Sequence, residues 1–237
     1  SIKAVELLEK VGVGRYKIGS GEVSNLLLLD RIAQTGKPVI LSSGLSNWDE
    51  LDNAVHVYKD RGIGVSILQC ATAYPSLPPV WGLNVIEDLK ERYGIPVGFS
   101  DHSGNIYACL AAAALGAEIL EFHSVFDKRM FGPDSPSSLT IEQIKILVEG
   151  VRQIETAKLN QVHKAISKEQ THLKIMFGKS LAVNKDLKAG TIIDVTDLES
   201  KKPATEGIAA AEYKRIIGKK LNRDKMQWEF LREEDVE

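Results

Sequence analysis

Two histidines stand where neighbouring strands of a parallel sheet would end. His102 closes the run Gly98-Phe99-Ser100-Asp101-His102-Ser103, and His123 closes Leu120-Glu121-Phe122-His123-Ser124, one strand–helix step further on. That spacing brings two imidazole nitrogens near enough to share one metal ion at about 2 Å from each. Two protein ligands leave positions open for a carboxylate, water or substrate, as a catalytic ion requires. The same spacing also describes a hydrogen-bonded pair of rim histidines, and spacing alone leaves both readings open. His56 falls in a helical pattern, and His163 and His172 in a polar stretch, where solvent-facing side chains are expected.

Lys17 is the next feature, because a lysine within a strand is costly unless it meets an anion. Phosphate is a natural partner, helped by the hydroxyls of Ser20, Ser42 and Ser100 and by the backbone N–H groups around Gly19–Gly21. A lysine tip reaching solvent is the alternative. Glu22, Asp101 and Glu121 have the chemistry to orient ligands or carry protons, and serve equally well as caps or rim ion pairs. Asp134, after Gly132-Pro133, either reaches a substrate hydroxyl or closes a turn. Cys70 reads as a buried core thiol rather than a nucleophile.

These residues need elements to carry them. Apolar runs at Arg15–Ile18, Pro38–Ser42, Val65–Gln69, Pro96–Phe99 and Glu118–Glu121 alternate with amphipathic helical stretches, the grammar of βαβ units and a parallel sheet. Ser46 with Asp49 suggests a capping box before Leu51, Val55 and Tyr58, and Thr140 with Gln143 repeats it before Ile144, Leu147 and Val151. The small residues Ala108 and Ala111–Ala114 predict a closely packed helix after His102. Ligands of parallel α/β folds gather beyond the carboxyl ends of the strands. Each of the five ends here delivers polar or ionisable groups, a coincidence that a purely structural sheet does not need. Five units are fewer than the eight that close a barrel. With the pattern opening inside a helical run at Ser1, the expectation is the last five βα units of a (β/α)8 TIM barrel, its first three units absent. The domain reading is barrel over 1–157, a polar, lysine-rich linker over 158–172, and a small α+β module over 173–237. Within that module, short strands are expected at Ser180–Val183, Thr191–Ile193 and Leu198–Lys202, with helical pieces near Ala209–Ile217 and Arg232–Val236.

Composition narrows the function classes. A hydrophobic content of 43%, 26% charged residues and a net charge of −2 describe a globular protein without a nucleic-acid-binding or polyanion-binding balance. No apolar run approaches the roughly 20 residues of a membrane span, and no signal peptide is read at the start. Two cysteines make no disulfide framework, so a cytoplasmic protein is expected.

Taken together, the strand ends resemble the sialic acid synthase family, phosphoenolpyruvate-dependent enzymes that make N-acetylneuraminate and related nonulosonic acids such as legionaminate and pseudaminate. The stretches that carry the resemblance are KIGSGE at Lys17–Glu22, GKPVILSSG at Gly36–Gly44, YPS at Tyr74–Ser76, GFSDHS at Gly98–Ser103, and the run from Ile119 through His123 to the GPD ending at Asp134. Downstream, SLAVNKDLKAGTII through GKKLNRD looks like the family's antifreeze-like (SAF) domain. The resemblance implies a TIM barrel with that domain appended, working as a homodimer in which the SAF domain reaches the partner's active site. It implies a divalent ion, Mn2+ or Mg2+, on His102 and His123, with Glu22 beside them as a further catalytic residue. Phosphoenolpyruvate would be held by Lys17, Ser20 and Ser100, with Ser42 near it. Glu22, Tyr74 and Asp134 would face an acylated amino sugar such as N-acetylmannosamine. The implied reaction joins C3 of phosphoenolpyruvate to the open-chain sugar aldehyde, adds water at C2 and releases phosphate by C–O cleavage.

Three departures bear on the transfer. Thr72, on the substrate side, stands where the family often has asparagine, and Phe122 where a basic residue often precedes the second histidine. Lys202 occupies the place of a common arginine expected to reach the acceptor, without that residue's bidentate fork. The absent units carry a further lysine and glutamate of the family's active site, so the chain is expected not to catalyse alone. Competing readings are another metal-dependent aldolase or phosphoenolpyruvate-condensing barrel, and an inactive relative whose SAF-like module binds a carbohydrate or a protein. Retention of Lys17, His102 and His123 argues against the inactive relative. Antifreeze activity is the weakest alternative.

Overall fold

Short β-branched runs separated by amphipathic helices fold as parallel βα units. The computed structural model describes residues 1–237, which divide into two compact units, Ser1–Gln161 and Val162–Glu237. In the first, strands β1 (Tyr16–Ile18), β2 (Val39–Ser42), β3 (Val65–Cys70), β4 (Val97–Asp101), β5 (Leu120–Val125) and β6 (Ser138–Thr140) lie side by side in sequence order, and every neighbouring pair is parallel. The sixth strand corrects the count of five. Ser138-Leu139-Thr140 is too short and too polar to show as an apolar run, yet Ser138 pairs with His123, and Thr140 is already the N-cap of the helix that follows.

Helices α1 (Ile2–Val11), α2 (Leu26–Ala33), α3 (Trp48–Lys59), α4 (Val85–Tyr93), α5 (Tyr107–Ala114) and α6 (Ile141–Leu159) fill the connections. Leu51, Val55 and Tyr58 of α3 are buried, as their spacing predicts. The cap itself lies one residue later than Ser46 and Asp49: the Asn47 side chain accepts from Glu50 N–H, and the Glu50 carboxylate accepts from Asn47 N–H. Asparagine competes well with serine for this role, and Ser46 N–H is already committed to the Ser43 carbonyl. Thr140 and Gln143 form the capping box their spacing predicts. Ala108, Cys109 and Ala112 of α5 are wholly buried, and a Cβ on Gly150 of α6 would press into Leu110, which accounts for the small residues on this pair of helices.

Gly98 has a specific reason to be glycine. A Cβ there would collide with the Ile119 carbonyl, the Leu68 side chain and the Ile119 Cβ. Its absence lets β4 and the segment leading into β5 approach closely, which sets the distance between the strands that carry His102 and His123. Gly98→Ala is expected to destabilise this unit by about 1–3 kcal/mol, as overpacking does. A urea midpoint unchanged from the parent would show that the strands separate at no cost.

The stretch expected as linker, 158–172, contains the boundary between the two units and has no helix or strand from 160 to 167. α6 runs on to Leu159, and α7 (Lys168–Phe177) starts on a capping box between Ser167 and Gln170. No residue of α7 is buried, so it lacks the apolar stripe by which a helix is recognised in sequence. In the second unit β7 (Ser180–Val183) pairs antiparallel with β8 (Leu198–Lys201), and α8 (Tyr213–Ile216) follows. Thr191–Ile193 is not a full strand: Ile192 makes an isolated bridge with Lys220, and Ile193 N–H donates to the Lys219 carbonyl. Arg232–Val236 contains a single 3-10 turn, Glu233–Asp235. Leu181, Val183, Ile193, Ile208, Ile216 and Leu231 form this unit's own core. No helix of the chain is long and apolar enough to cross a membrane.

Candidate active site

Strand register assembles the first half of the site. Cys70 on β3 lies opposite Ser100 on β4, and Ser100 lies opposite Glu121 on β5. Ser100 Oγ donates to Glu121 Oε1 at 2.7 Å. Lys17 Nζ, from β1, lies 3.1 Å from that same oxygen and donates to Ser42 Oγ at 2.7 Å. Four strand spacings separate β1 from β5, about 19 Å in a flat sheet at about 4.8 Å per step. A lysine cannot span that, so the contact requires the sheet to curl, as a half-barrel does. The buried Ser42 and Ser100, the exposed Lys17 and the half-buried Glu121 thus form one hydroxyl-rich cluster around a Lys–Glu ion pair on the concave side.

Cys70 lies within this cluster. Burial pushes its thiol up, against the pull of the Ser100, Thr72 and Ser20 hydroxyls and the Lys17 charge, so it remains a neutral core thiol as its sequence context predicts. Thr72 approaches only because position 44 is glycine, where a Cβ would strike the Thr72 hydroxyl and the Cys70 carbonyl.

The second half is an aromatic wall. The Tyr74 ring lies 4.4 Å from the His102 ring and 6.0 Å from His123, and the two imidazoles are 5.1 Å apart, centroid to centroid. Burial, then the neighbouring His123, hold His102 below the ordinary imidazole range. Its ring is therefore neutral, with Nδ1 4.0 Å from Cys70 Sγ. His123 Nδ1 lies 3.5 Å from Asp134 Oδ2. A cavity of about 380 Å³ opens beside them, lined by His123, Asp134, Phe126, Met130 and Phe131.

The loop bearing Tyr74 is braced from behind. Ser76 N–H donates to the His102 carbonyl at 3.0 Å, Trp81 Nε1 to the Ser76 carbonyl at 3.3 Å, and Gln69 Nε2 to the Trp81 carbonyl at 3.1 Å. Gln69 and Trp81 are not among the residues singled out by sequence. The available signal was a glutamine interrupting an apolar strand, which must find a partner when buried.

Of the sequence candidates, the structure joins Lys17 and Ser42 directly, links Ser100 to Lys17 through Glu121, sets Ser20 and Thr72 around Cys70, and gathers Tyr74, His102, His123 and Asp134. Glu22 bonds to neither group: its exposed carboxylate accepts from Asn25 Nδ2 at 2.7 Å, within the turn before α2. Lys202 belongs to the second unit, where its ammonium lies 4.7 Å from the centre of the Phe177 ring. No cluster of three or more His, Cys, Asp or Glu side chains is arranged around a metal position. Two adjacent imidazoles, one held neutral, fit an ion that completes its shell from water and substrate.

A curled parallel sheet of βα units that carries a hydroxyl-rich Lys17–Glu121 cluster and a histidine pair, His102 just past β4 and His123 within β5, followed by a small α+β unit, defines the class. The chain matches the NeuB family over residues 1–163 and the SAF domain over residues 178–237. N,N'-diacetyllegionaminic acid synthase of Campylobacter jejuni is 37% identical over 98% of this chain and 70% of that protein. Human N-acetylneuraminate-9-phosphate synthase is 32% identical over 92% of this chain and 61% of that protein. Among solved structures, the N-acetylneuraminic acid synthetase of Leptospira borgpetersenii in complex with citrate aligns with a TM-score of 0.68 at 31% identity, over 73% of this chain and 61% of that one. The chain belongs to the NeuB family, whose members among these relatives are nonulosonic acid synthases.

Proposed function

We propose that this chain provides one wall of a C–C bond-forming transferase that condenses phosphoenolpyruvate with an N-acylated amino sugar, N-acetylmannosamine or a close analogue, to a nonulosonic acid such as N-acetylneuraminate, releasing phosphate. The observation that carries the reading is the placing of the Lys17–Ser42–Ser100 cradle and the Tyr74–His102–His123 wall on adjacent strand ends of one curled sheet. An anionic donor and a polarisable acceptor require those two chemistries side by side.

In this reading Lys17, with Ser20, Ser42 and Ser100, neutralises and orients phosphoenolpyruvate, and Glu121 fixes both Lys17 and Ser100 by sharing one carboxylate oxygen between them. Tyr74, Asp134, Thr72 and Glu22 are assigned to the acceptor, with Glu22 as a proton carrier although its carboxylate bonds Asn25 here, and Asp134 beside His123. His102 and His123 would hold a divalent ion, Mn2+ or Mg2+, which would supply Lewis acidity toward the acceptor's aldehyde. C3 of phosphoenolpyruvate bonds to the aldehyde carbon, water adds at C2, and C–O cleavage frees inorganic phosphate. The enzyme works in the cytoplasm as a homodimer, with Lys202 of the SAF domain reaching the acceptor in the partner's site. Turnover needs a barrel closed by further βα units.

The test is phosphate release by the closed-barrel enzyme, with N-acetylmannosamine, its 6-phosphate and diacetamido sugars as acceptors. Release is expected only with phosphoenolpyruvate, one of these sugars and a divalent ion together, and is expected to fall to background with EDTA. Undiminished release in EDTA, or release without any acceptor, would sink the proposal.

A further inference from the structure

We infer that Phe131, with Phe126 and Met130 of the same loop between β5 and β6, is the specificity-determining wall of the acceptor site. It selects a sugar whose end remote from the aldehyde is apolar and carries no phosphate. The inference deepens the reading above and rests on it, since it takes the aldehyde to meet the histidine pair. The Tyr74 ring lies nearer His102 than His123, at 4.4 Å against 6.0 Å, and does not line the cavity of about 380 Å³. That cavity opens on the other side, at His123. An open-chain acceptor with its aldehyde at the imidazoles therefore runs its far end past Asp134 into the cavity.

The lining is of two kinds. His123, Asp134 and Ser135 bring polar groups, and Phe126, Met130 and Phe131 bring the large apolar ones. Phe126 is 81% exposed, Met130 50%, and Phe131 wholly so. None of the lining residues is a lysine or arginine. The loop's two basic side chains are committed elsewhere: Lys128 Nζ donates to the Gly104 carbonyl, and Arg129 pairs with Asp127. A phosphate in this cavity would exchange water for aromatic faces and meet no cation. A methyl group would gain by burial against the same faces.

The loop that presents these side chains is braced. Ser135 Oγ donates to the Lys128 carbonyl at 2.8 Å, Met130 N–H to the Asp127 carbonyl at 3.0 Å, and Ser138 Oγ to the Asp134 carbonyl at 2.7 Å. Gly104, at φ +69°, admits the loop closely, because a Cβ there would strike the Pro136 carbonyl. With the Lys128 bond, this ties the loop to the turn just past His102. Three apolar side chains are thus held in the open by a fixed backbone, beside the two residues already assigned to the ion and the acceptor. Such a wall is organised before its ligand arrives, which lowers the cost of binding.

The experiment measures kcat/KM of the closed-barrel enzyme for acceptors that differ at C6 alone. These are the 6-deoxy sugar, the 6-hydroxy sugar and its 6-phosphate, in both the N-acetylmannosamine and the diacetamido series. The 6-deoxy sugar is expected to be preferred over the 6-hydroxy sugar by about 10–100-fold, the range an apolar pocket reaches against an added hydroxyl. The 6-phosphate is expected to be poorest. Phe131→Ala removes an exposed side chain and takes nothing from the core. It is expected to cut the 6-deoxy preference by at least about threefold, roughly the effect of one buried methyl. Phe131→Lys is expected to raise kcat/KM for the 6-phosphate by about tenfold or more, as a charge-assisted contact does. Damage cannot produce that gain. A parent enzyme that prefers the 6-phosphate, or acceptor ratios that move in neither variant, would overturn the inference. Weakened self-association of Phe131→Ala with its ratios unchanged would overturn it too, and assign the wall to a contact between copies. No phosphate release with any acceptor of either series would instead sink the reading beneath it.

Discussion

Lys17→Met is expected to raise the dissociation constant of phosphoenolpyruvate by about 10–100-fold while leaving Mn2+ affinity unchanged or tighter. A hydrogen bond to a charged partner contributes about 1.5–3 kcal/mol, and about 1.4 kcal/mol corresponds to a factor of ten. Lys17 is the cation of the cluster proposed to hold phosphate, bonded to Ser42 Oγ and paired with Glu121 Oε1. Its removal also leaves Glu121 with only the Ser100 hydroxyl, so a half-buried carboxylate then repels the incoming anion. Arginine is not expected to restore binding, because the 2.7 Å contact with Ser42 is made by a point-like ammonium and a planar fork cannot occupy the same place. Titration calorimetry with phosphoenolpyruvate reads the effect. Affinity within about twofold of the parent would remove the phosphate role from Lys17, and an equal loss of Mn2+ binding would point to general damage rather than a lost anion contact.

Why Lys17 was legible and its partner was not shows what sequence carries. A lysine between Tyr16 and Ile18 violates the strand's apolar pattern and announces itself. Glu121 violates its own strand in the same way, but nothing in either segment says that β1 and β5 meet. That contact is a property of sheet curvature, which accumulates over four strands and belongs to no single one. The same reasoning covers the other differences. β6 is too short to have a period, α7 buries no face, and the SAF unit's bridges join residues as distant as Ile192 and Lys220. By contrast, His102 and His123 sit one βα step apart, so topology alone makes them neighbours, and their rings do meet. Asp101 was visible only as one of several rim carboxylates. Its burial against Ser103 and Cys109 is a fact of packing, as is the exposure of Glu22 beside Asn25.

The histidine pair carries the largest expected loss. His102→Ala and His123→Ala are each expected to lower Mn2+ affinity by at least about 10²-fold, beyond the about 10–100-fold typical of an outer partner. The double variant should lose little more, because residues acting as one unit are not additive. Affinity should also depend on pH in a direction that the geometry sets. Ion binding needs the neutral ring, and burial together with His123 holds His102 below its ordinary value of 6.5. A depressed value keeps the ring neutral further into acid, so His102 stays competent as pH falls past the ordinary range and is lost only on passing through its lowered pKa. A buried rim pair with no ion would share the lowered pKa but show no Mn2+ binding to titrate. Mn2+ affinity that survives in both single variants would establish that second reading, and the Tyr74–His102–His123 wall would then be a stacked aromatic face rather than an ion site.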